Sequence, residues 1–416
     1  MKRSILTLTS LVALGFAQAA FAEEAKEAPY SDKLLGDLGG VRSTLANHGV
    51  EAELNYTGDL WGVMDGGTKR IATYLDLAKL ALHIDNEKLL GIKGNTVTLS
   101  ALDSNGTRTN GSTVGSVQGI DNNEVSANGV RLYEAWVNQE FFNGRAAILF
   151  GLHDLNSEFD LTDSTANFVK PTLQIGQAFA QSGRNGPSIF PTTSLASRLR
   201  VKPTESTYLA GGIYDGVPGN PDKTKGQRVH LGDKDGALLV SEFGWTPNAK
   251  EGEPVANKLA FGGWHYTAKL DDLEVTGKKD TAQGVYALGS ARLYADSKNK
   301  RDIVAFLRGG VADGKTAQVN WDLETGLVAT GFVPGRPEGE IGFGVSEAHN
   351  GDKYMRVQAA AGSPADREEV GYELYYRDTI ARGVTLQPDV QYVVNPGTDR
   401  TLDNAFIIGT RFNVSF

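Results

Sequence analysis

The chain alternates apolar and polar residues over many short segments, a pattern that predicts β-strands with one apolar and one polar face. In the last twelve residues, 405–416, most even-numbered positions carry Phe, Ile or Val, whereas most odd-numbered positions are polar or Gly. The same period of two recurs at residues 50–60, 95–101, 260–267, 372–378 and 386–394. The sequence therefore predicts an all-β protein.

The polar faces of these strands carry charges opposite aromatic and aliphatic stripes, for example at Glu51, Arg377 and Arg411. A soluble β-sandwich shows the same alternation. A transmembrane antiparallel β-barrel is favoured because aromatic residues lie near the predicted strand ends, as membrane girdles require. A chain that ends inside a strand also suits closure against the first strand. On this interpretation Trp264 and Tyr266 face lipid or a neighbouring subunit.

The connections between the predicted strands alternate between short and long. Residues 141–147 and 381–385 have the composition of tight turns, whereas 102–129 and 215–236 are long polar loops. Short turns at one rim and long loops at the other are typical of outer-membrane barrels, and the chain length suits about 16 strands at roughly 25 residues each with connection. Pro388 interrupts one predicted strand, where we expect a bulge or a strand that begins near a rim.

The first 22 residues have the features of a secretory signal peptide, because a positive start and an apolar run precede the cleavage pattern Ala20-Phe21-Ala22. Apolar residues at helical spacing between Leu38 and Gly49 predict a short amphipathic helix. Its role as a plug, a periplasmic cap or a packed arm stays open. The predicted division is a signal peptide at 1–22, an N-terminal segment with a short helix at 23–49 and a transmembrane β-barrel at 50–416.

Composition narrows the function classes. The formal net charge of −9 argues against a nucleic-acid partner, and the lack of cysteine excludes disulfides and thiolate metal sites. Mean hydropathy is −0.28, and no segment beyond the signal approaches the roughly 20 apolar residues that a spanning helix needs. This does not decide the location, because a barrel strand needs only about 9–11 residues. Nothing in the composition predicts a cofactor.

Five segments together resemble the carbohydrate-selective outer-membrane porins of the OprB type. These are residues 34–54, 131–141, 189–203, 212–219 and 384–397, and the similarity runs from Leu34 to Phe416. The resemblance implies a 16-stranded barrel in the outer membrane of a Gram-negative bacterium, with inward-folded loops that form a narrow constriction. It further implies passive diffusion of carbohydrates, with some preference for monosaccharides such as glucose.

The resemblance also implies partners. In barrels of this kind the terminal aromatic residue is recognised by the outer-membrane assembly machinery, so Phe416 is predicted to be an assembly signal that faces lipid. Outer-membrane lipid and small sugars complete the expected partners. Whether the barrel is a monomer or a homotrimer stays open.

A sugar offers hydroxyl groups around a ring with apolar faces, so a selective pore needs hydrogen-bonding groups and an aromatic plane that bind weakly. Arg suits the donor role because its guanidinium binds paired oxygens and stays charged. Arg198 and Arg200 share a strand face opposite Leu199 and Val201. We favour this pair because two guanidinium groups on one face repel each other unless acids or a ligand compensate. The alternative is a pair of lumen charges with no selective role.

Further candidates for the constriction come from the same alternation. Glu134 and Trp136 share a face, opposite to that of Tyr133 and Val137, and Trp136 either offers a stacking plane inside or belongs to a girdle.

Four more candidates come from strand ends and loops. Asp154 and Asn156 lie at the end of a strand that is predicted to place Phe150 on their side. Arg131 is predicted to precede its strand as a loop-borne residue of the constriction. Arg184 is likewise predicted to be a loop-borne residue of the constriction.

Rival functions remain. A barrel enzyme needs a nucleophile and a base, but none of the six histidines lies in a Gly-x-Ser-x-Gly or His-Glu-x-x-His motif, so no enzyme is predicted. A general or anion-selective porin and a soluble exported sugar-binding β-protein stay as alternatives. The acidic stretch 119–124 lacks the spacing of a calcium loop, and we predict a solvated loop without metal there.

Overall fold

The structure is a computed structural model that describes residues 29–220, 222–223, 232, 234–249 and 253–416. The predicted signal peptide lies outside these residues. Within them, sixteen antiparallel strands form a closed barrel in which each strand pairs with its neighbours in the chain and the last pairs with the first. The predicted all-β barrel of about 16 strands with a short N-terminal helix is confirmed.

The strands are β1 Val50–Asp65, β2 Ala72–Asp85, β3 Asn95–Gly106, β4 Gly129–Phe141, β5 Ala146–His153, β6 Ser194–Thr204, β7 Thr207–Asp215, β8 Ala237–Trp245, β9 Lys258–Asp271, β10 Lys279–Asp296, β11 Arg301–Ala312, β12 Val319–Thr330, β13 Glu340–Asn350, β14 Glu368–Ala381, β15 Val384–Val394 and β16 Ala405–Ser415. The α-helices are α1 Val41–Asn47, α2 Asn86–Leu90, α3 Gln177–Ala180 and α4 Asp352–Ala360. Short 3-10 turns lie at Leu38–Gly40, Leu155–Ser157, Asp163–Thr165, Pro171–Leu173 and Pro396–Thr398, and a π-turn at Asn110–Val114. No helix among the described residues is long and apolar enough to cross a membrane.

The two rims of the barrel differ. We call the rim that carries the start of β1 and the end of β16 the turn rim, because several connections there are only two to four residues long, such as 205–206 and 142–145. The opposite rim, the loop rim, carries loop 2 (residues 107–128) and loop 3 (residues 154–193). The extent of loop 3 was not predicted, although Arg184 was placed in a loop. Loop 2 was predicted, but with the end of β3 five residues too early.

The predicted alternation decides which face each side chain takes. On β1, Asp59 points into the barrel and is fully buried, whereas Leu60 points outward and is 49% exposed. Leu80 on β2 and Ile408 on β16 are also exposed on the outer face. Apolar side chains therefore cover the outside and polar ones line the lumen, as in a membrane barrel.

Loops 2 and 3 fold back into the lumen, where their backbone N–H groups have no strand partner. Carboxylates on the inner wall accept these bonds, since a buried donor must find a partner. On β14, Glu373 accepts from the N–H groups of Val169 and Lys170 at 2.7 and 2.8 Å. Glu369 accepts from two N–H groups of loop 2 in the same way.

An aromatic cluster fixes α3 of loop 3 inside the barrel. Phe179 stacks on Trp264 with ring centroids 4.5 Å apart, and Tyr286 lies beside both rings. Tyr286 covers Gly262 so closely that a Cβ there would lie 2.1 Å from the ring, which explains the glycine. Trp264 and Tyr266 are 3% and 1% exposed in this core, so the prediction that they face lipid or a subunit is wrong.

Pro388 lies four residues inside β15 and is paired with Thr410 of β16. The pairing with β14 runs from Tyr375–Asp389 directly to Asp378–Leu386 in an unchanged register. The expected bulge or strand start is therefore wrong. Proline interrupts the described ladder on one side only, because it has no N–H to donate there.

The described segment before β1, residues 29–49, is a packed arm. The N–H of Leu34 donates to the carbonyl of Ser415 at 2.7 Å, and Arg382 donates to the carbonyl of Lys33 at 2.8 Å. Helix α1 follows and lies against outward-facing residues of β1 and β2. The arm runs along the outside of the turn rim, so it does not plug the pore.

Candidate functional site

The two inserted loops cover only part of the inner wall. They contact Thr73, Tyr133 and Arg198 on β2, β4 and β6, but most of their contacts reach from Glu242 on β8, through β9–β16, to Trp61 on β1. We call this region the covered wall and the inner faces of β2–β7 the open wall. On the open wall Lys79, Trp136 and Arg200 remain partly exposed to the lumen. These three side chains are therefore accessible from the lumen.

Arg198 joins the open wall to loop 3. Its Nη2 lies 2.6 Å from Oε1 of Glu158, and the two side chains are 5% and 17% exposed. The same nitrogen is 3.4 Å from Oδ1 of Asn138. The predicted need for a compensating acid is thus met within the protein. Arg198 holds the start of loop 3 against the wall and exposes little of its guanidinium.

Arg200 has a different environment, although it lies on the same face of β6 as predicted. Its guanidinium carbon lies 4.3 Å from the ring centroid of Tyr208 on β7, a cation–π contact. The side chain stays partly exposed. A cavity of about 590 Å³ opens beside it, lined also by Arg145 and Lys202. Arg200 can therefore offer donors to a solute.

A β-bulge in β4 brings an extra side chain into the lumen. Ser100 pairs with Glu134 and Ala101 with Leu132, so Tyr133 has no partner between them and both Tyr133 and Glu134 point inward. The prediction that Tyr133 lies on the opposite face from Glu134 is wrong for this reason.

The bulge assembles a small polar network. The Tyr133 hydroxyl donates to Oδ2 of Asp154 at 2.5 Å. Lys79 lies 5.4 Å from the Tyr133 ring centroid and 3.9 Å from Oε2 of Glu134. Trp136 donates from Nε1 to Oε1 of Glu134 at 3.1 Å. Donors, an acceptor and an aromatic plane therefore occur together on the open wall.

Trp136 lies on the lumen face rather than in a girdle. Its ring meets His153 edge-on at 6.1 Å, and it remains partly exposed. The sequence left open whether Trp136 lies inside the barrel or in a girdle, and in the structure it lies inside.

Asp154 and Asn156 shape the start of loop 3. Oδ1 of Asp154 accepts from the N–H of Asn156 at 2.9 Å, and Nδ2 of Asn156 donates to the carbonyl of Phe159 at 3.1 Å. Phe150 is 55% exposed on the outer face, so its predicted placement on their side is wrong. The strand ends at His153, and the loop turns the next residues inward.

Two predicted candidates lie apart from this group. Arg131 is inside β4, not in a loop, and is only 2% exposed while it donates to the carbonyl of Ala127. Arg184 is in loop 3, where its guanidinium lies 3.5 Å from Asp235 of the β7–β8 loop. Neither adjoins the Arg198–Glu158 pair through any described contact.

Sequence reasoning missed Lys79 and Tyr208. Lys79 stands in a long apolar stretch of β2, and this isolated charge is a signal that could have placed it on the inner face. Tyr208 could not have been found, because its contact with Arg200 depends on the β6–β7 register.

The acidic stretch 119–124 lies inside the lumen, so the predicted solvated loop is wrong. Oδ2 of Asp121 accepts from Nε1 of Trp61 at 2.6 Å, and Arg411 bonds to both Asp59 and Asp121. No group of three or more metal-ligating side chains occurs among the described residues.

At the loop rim, ion pairs fasten α4 to the β9–β10 connection. Asp272 accepts from Lys353, and Lys278 lies 3.1 Å from the same carboxylate. Arg356 binds both oxygens of Glu274 at 2.6 and 2.8 Å. The hydrogen bond from Lys353 holds the pKa of Asp272 well below its ordinary value, and the Arg356 guanidinium lowers the pKa of Glu274.

Comparison with known proteins decides what this barrel is. The model of the carbohydrate-selective porin, OprB family, matches residues 69–416. The chain belongs to this family. Porin B of Pseudomonas aeruginosa is 27% identical over 456 aligned residues that cover 100% of this chain and 98% of Porin B.

Solved structures agree on the fold. The high-pH structure of Pseudomonas putida OprB superimposes with a TM-score of 0.85 at 24% identity and covers 94% of this chain and 100% of that one. The outer-membrane channel DcaP of Acinetobacter baumannii gives a TM-score of 0.55 at 10% identity, with 88% and 97% covered.

This OprB-family chain is thus a carbohydrate porin, a multi-pass β-barrel of the Gram-negative outer membrane, and a channel rather than an enzyme. The alternative of a soluble exported protein is overturned. By the usual orientation of such barrels, the turn rim faces the periplasm.

Proposed function

We propose that the chain lets neutral monosaccharides such as glucose diffuse passively, without cofactor or catalysis, along the open wall. The network of Lys79, Glu134 and Trp136 carries this proposal, because it offers a donor, an acceptor and an aromatic plane at one place. A sugar ring needs all three. Lys79 and Trp136 are partly exposed whereas Glu134 is buried, so the network binds a ring weakly enough for fast release.

The charges of the open wall support a neutral solute. Arg198 is paired with Glu158, and Lys79 lies near Glu134, so the wall presents dipoles more than net charge. Such a lining attracts hydroxyl groups without holding one sign of ion. Arg200 adds donors beside the 590 Å³ cavity, a size within the usual range of about 300–1,000 Å³ for small-molecule sites.

The roles of the predicted site residues follow from their environments. Arg200, Glu134 and Trp136 contact the passing sugar. Arg198, Asp154 and Asn156 position the start of loop 3. Arg131 and Arg184 act in the wall and at the loop rim.

Assembly belongs to the same proposal. The first 22 residues are removed on export, and Phe416, directly after β16, is read by the assembly machinery. The described barrel closes by pairing of β1 with β16, and Phe416 donates its N–H to the carbonyl of Leu54 at 3.0 Å. The barrel acts alone or as a homotrimer.

Single-channel recording in a planar bilayer tests the sugar assignment. Glucose should block wild-type current at lower concentration than sucrose, and Arg200→Ala should raise the half-blocking glucose concentration roughly five- to tenfold, since about 1 kcal/mol of contact is lost. Arg184→Ala is the matched control and should leave it unchanged. Current that responds to neither sugar, with strong selectivity for one ion sign, would replace this proposal by a general or anion-selective porin.

A further inference from the structure

The N-terminal arm leaves an apolar groove on the outside of the barrel. The groove has a volume of about 180 Å³ and lies between α1 and the lipid-facing surface of β1 and β2. Its apolar lining residues are Leu38, Val41, Leu45, Val50, Ala52, Leu54, Leu80 and Phe416. Leu38, Val41 and Leu45 are 47%, 53% and 42% exposed, so the described protein does not cover them itself.

The groove is continuous with the membrane surface of the barrel. Leu54 and Leu80 belong to the outward-facing rows that contact lipid along β1 and β2. At the periplasmic rim these rows reach the boundary between acyl chains and head groups. An amphipathic segment in this position lies in the interface with its apolar face against acyl chains.

Two cations border the same groove. Lys33 and Arg42 both line it, and the Arg42 guanidinium lies 5.6 Å from the Tyr30 ring centroid. Glu51 and Glu53 of β1 also line it, but they alternate with the outward-facing Ala52 and Leu54 and so belong to the inner face of the strand. Lys33 binds Ser415 and Asp32. No carboxylate lies within ion-pair distance of the Arg42 side chain in the described part of the chain. An apolar groove with an uncompensated guanidinium at its edge suits an amphiphile with an anionic head.

We propose that this groove binds one glycerophospholipid of the periplasmic leaflet. One acyl chain lies along Leu45, Leu54 and Leu80, and the phosphate contacts Arg42 and Lys33. The bound lipid covers the seam where β16 meets β1 and holds the arm against it. This site is separate from the pore, so it does not depend on the sugar assignment.

Native mass spectrometry of the folded full chain tests the site. The protein is transferred from dodecyl maltoside into mixed micelles that contain phosphatidylglycerol and phosphatidylethanolamine. We expect one phospholipid to remain at collision energies that strip the others. Arg42→Gln should lower its occupancy at least fivefold, whereas Lys93→Gln, an exposed cation of another periplasmic turn, should not.

A second variant separates binding from loss of the arm. Ala52→Phe fills the groove from the barrel side and leaves the bonds of Leu34 and Arg382 in place. It should abolish the retained phospholipid while heat-modifiable gel mobility stays as in the wild type. Equal occupancy in the wild type, Arg42→Gln and Ala52→Phe would overturn the proposal. A dimer that forms without bound lipid and is lost in Ala52→Phe would also overturn it, in favour of a second copy of the chain.

Discussion

The covered wall and the open wall are built from the same kind of alternating strand, yet their inward-facing charged side chains have different partners. On the covered wall, carboxylates such as Glu373 and Glu369 accept N–H groups of the inserted loops and are fully buried. On the open wall, Lys79 and Arg200 stay partly exposed and contact aromatic rings. The covered wall thus fixes the inserted loops, whereas the open wall is the surface that we propose meets the solute.

The largest effect is expected on the covered wall. Glu373→Ala leaves the N–H groups of Val169 and Lys170 buried without an acceptor, which should cost about 3 kcal/mol or more. Loop 3 should loosen, the unfolding temperature should fall in heat-modifiability gels, and single-channel conductance should rise. Glu53→Ala, at an exposed inward carboxylate of β1, is the control and should change stability little. Equal losses in both variants would contradict the distinction between the walls.

The Arg198–Glu158 pair joins β6 of the open wall to loop 3. Removal of either partner should destabilise the barrel by about 2–3 kcal/mol, because the other charge is left poorly solvated. The double variant Arg198→Met/Glu158→Leu should recover much of this loss. A double-mutant cycle from urea unfolding measures the coupling energy. Strictly additive losses would show that the pair does not hold loop 3.

Trp136 tests whether an aromatic plane on the open wall contributes to sugar binding. Trp136→Ala removes the aromatic plane and should weaken glucose block roughly fivefold, about 1 kcal/mol, with stability almost unchanged. Trp136→Phe keeps a plane and should lose roughly twofold. Half-blocking concentrations in planar bilayers give the readout. A loss of stability without change in glucose block would assign Trp136 to packing instead.

The smallest effect is expected from the ion pairs between α4 and the β9–β10 connection. The folded pKa values of Asp272 and Glu274 are lowered, so these pairs stabilise the loops above the ordinary carboxyl range. That contribution is lost as pH falls through the lowered values. Hydrogen exchange of α4, compared with that of an unstructured peptide at each pH, should lose roughly threefold in protection from pH 7 to pH 3. Lys353→Met should remove part of this pH dependence and Lys298→Met none of it.

Much of the fold could be predicted from the sequence, because alternation with a period of two marks each strand and its two faces. The faces of β1 and β6 were predicted correctly, so Arg198 and Arg200 do point inward. Trp264 was misplaced, because an apolar side chain suits the lipid surface and the loop-filled lumen equally well. Only the position of α3 distinguishes the two.

The candidate site was harder to predict than the fold. The bulge at Tyr133 shifts the alternation of inward and outward residues by one position. The neighbouring sequence contains no residue that predicts this shift. Arg184 was placed in a loop, but the extent of loop 3 was not predicted, because its buried residues, such as Phe168 and Leu173, are apolar like those of a strand. Glu158 contacts Arg198 and Tyr208 contacts Arg200 only in the folded barrel, so neither partner could be predicted from the sequence.

The bonds that hold the inserted loops have a consequence for how such pores diversify. Wall carboxylates bind loop main-chain atoms, as Glu373 binds the N–H groups of Val169 and Lys170, and a main-chain N–H is present whatever side chain the residue carries. Substitutions at loop residues that are bound through their main chain therefore leave these bonds intact. Single substitutions in a loop can therefore change which solute the pore prefers while the barrel and the attachment of the loop stay the same.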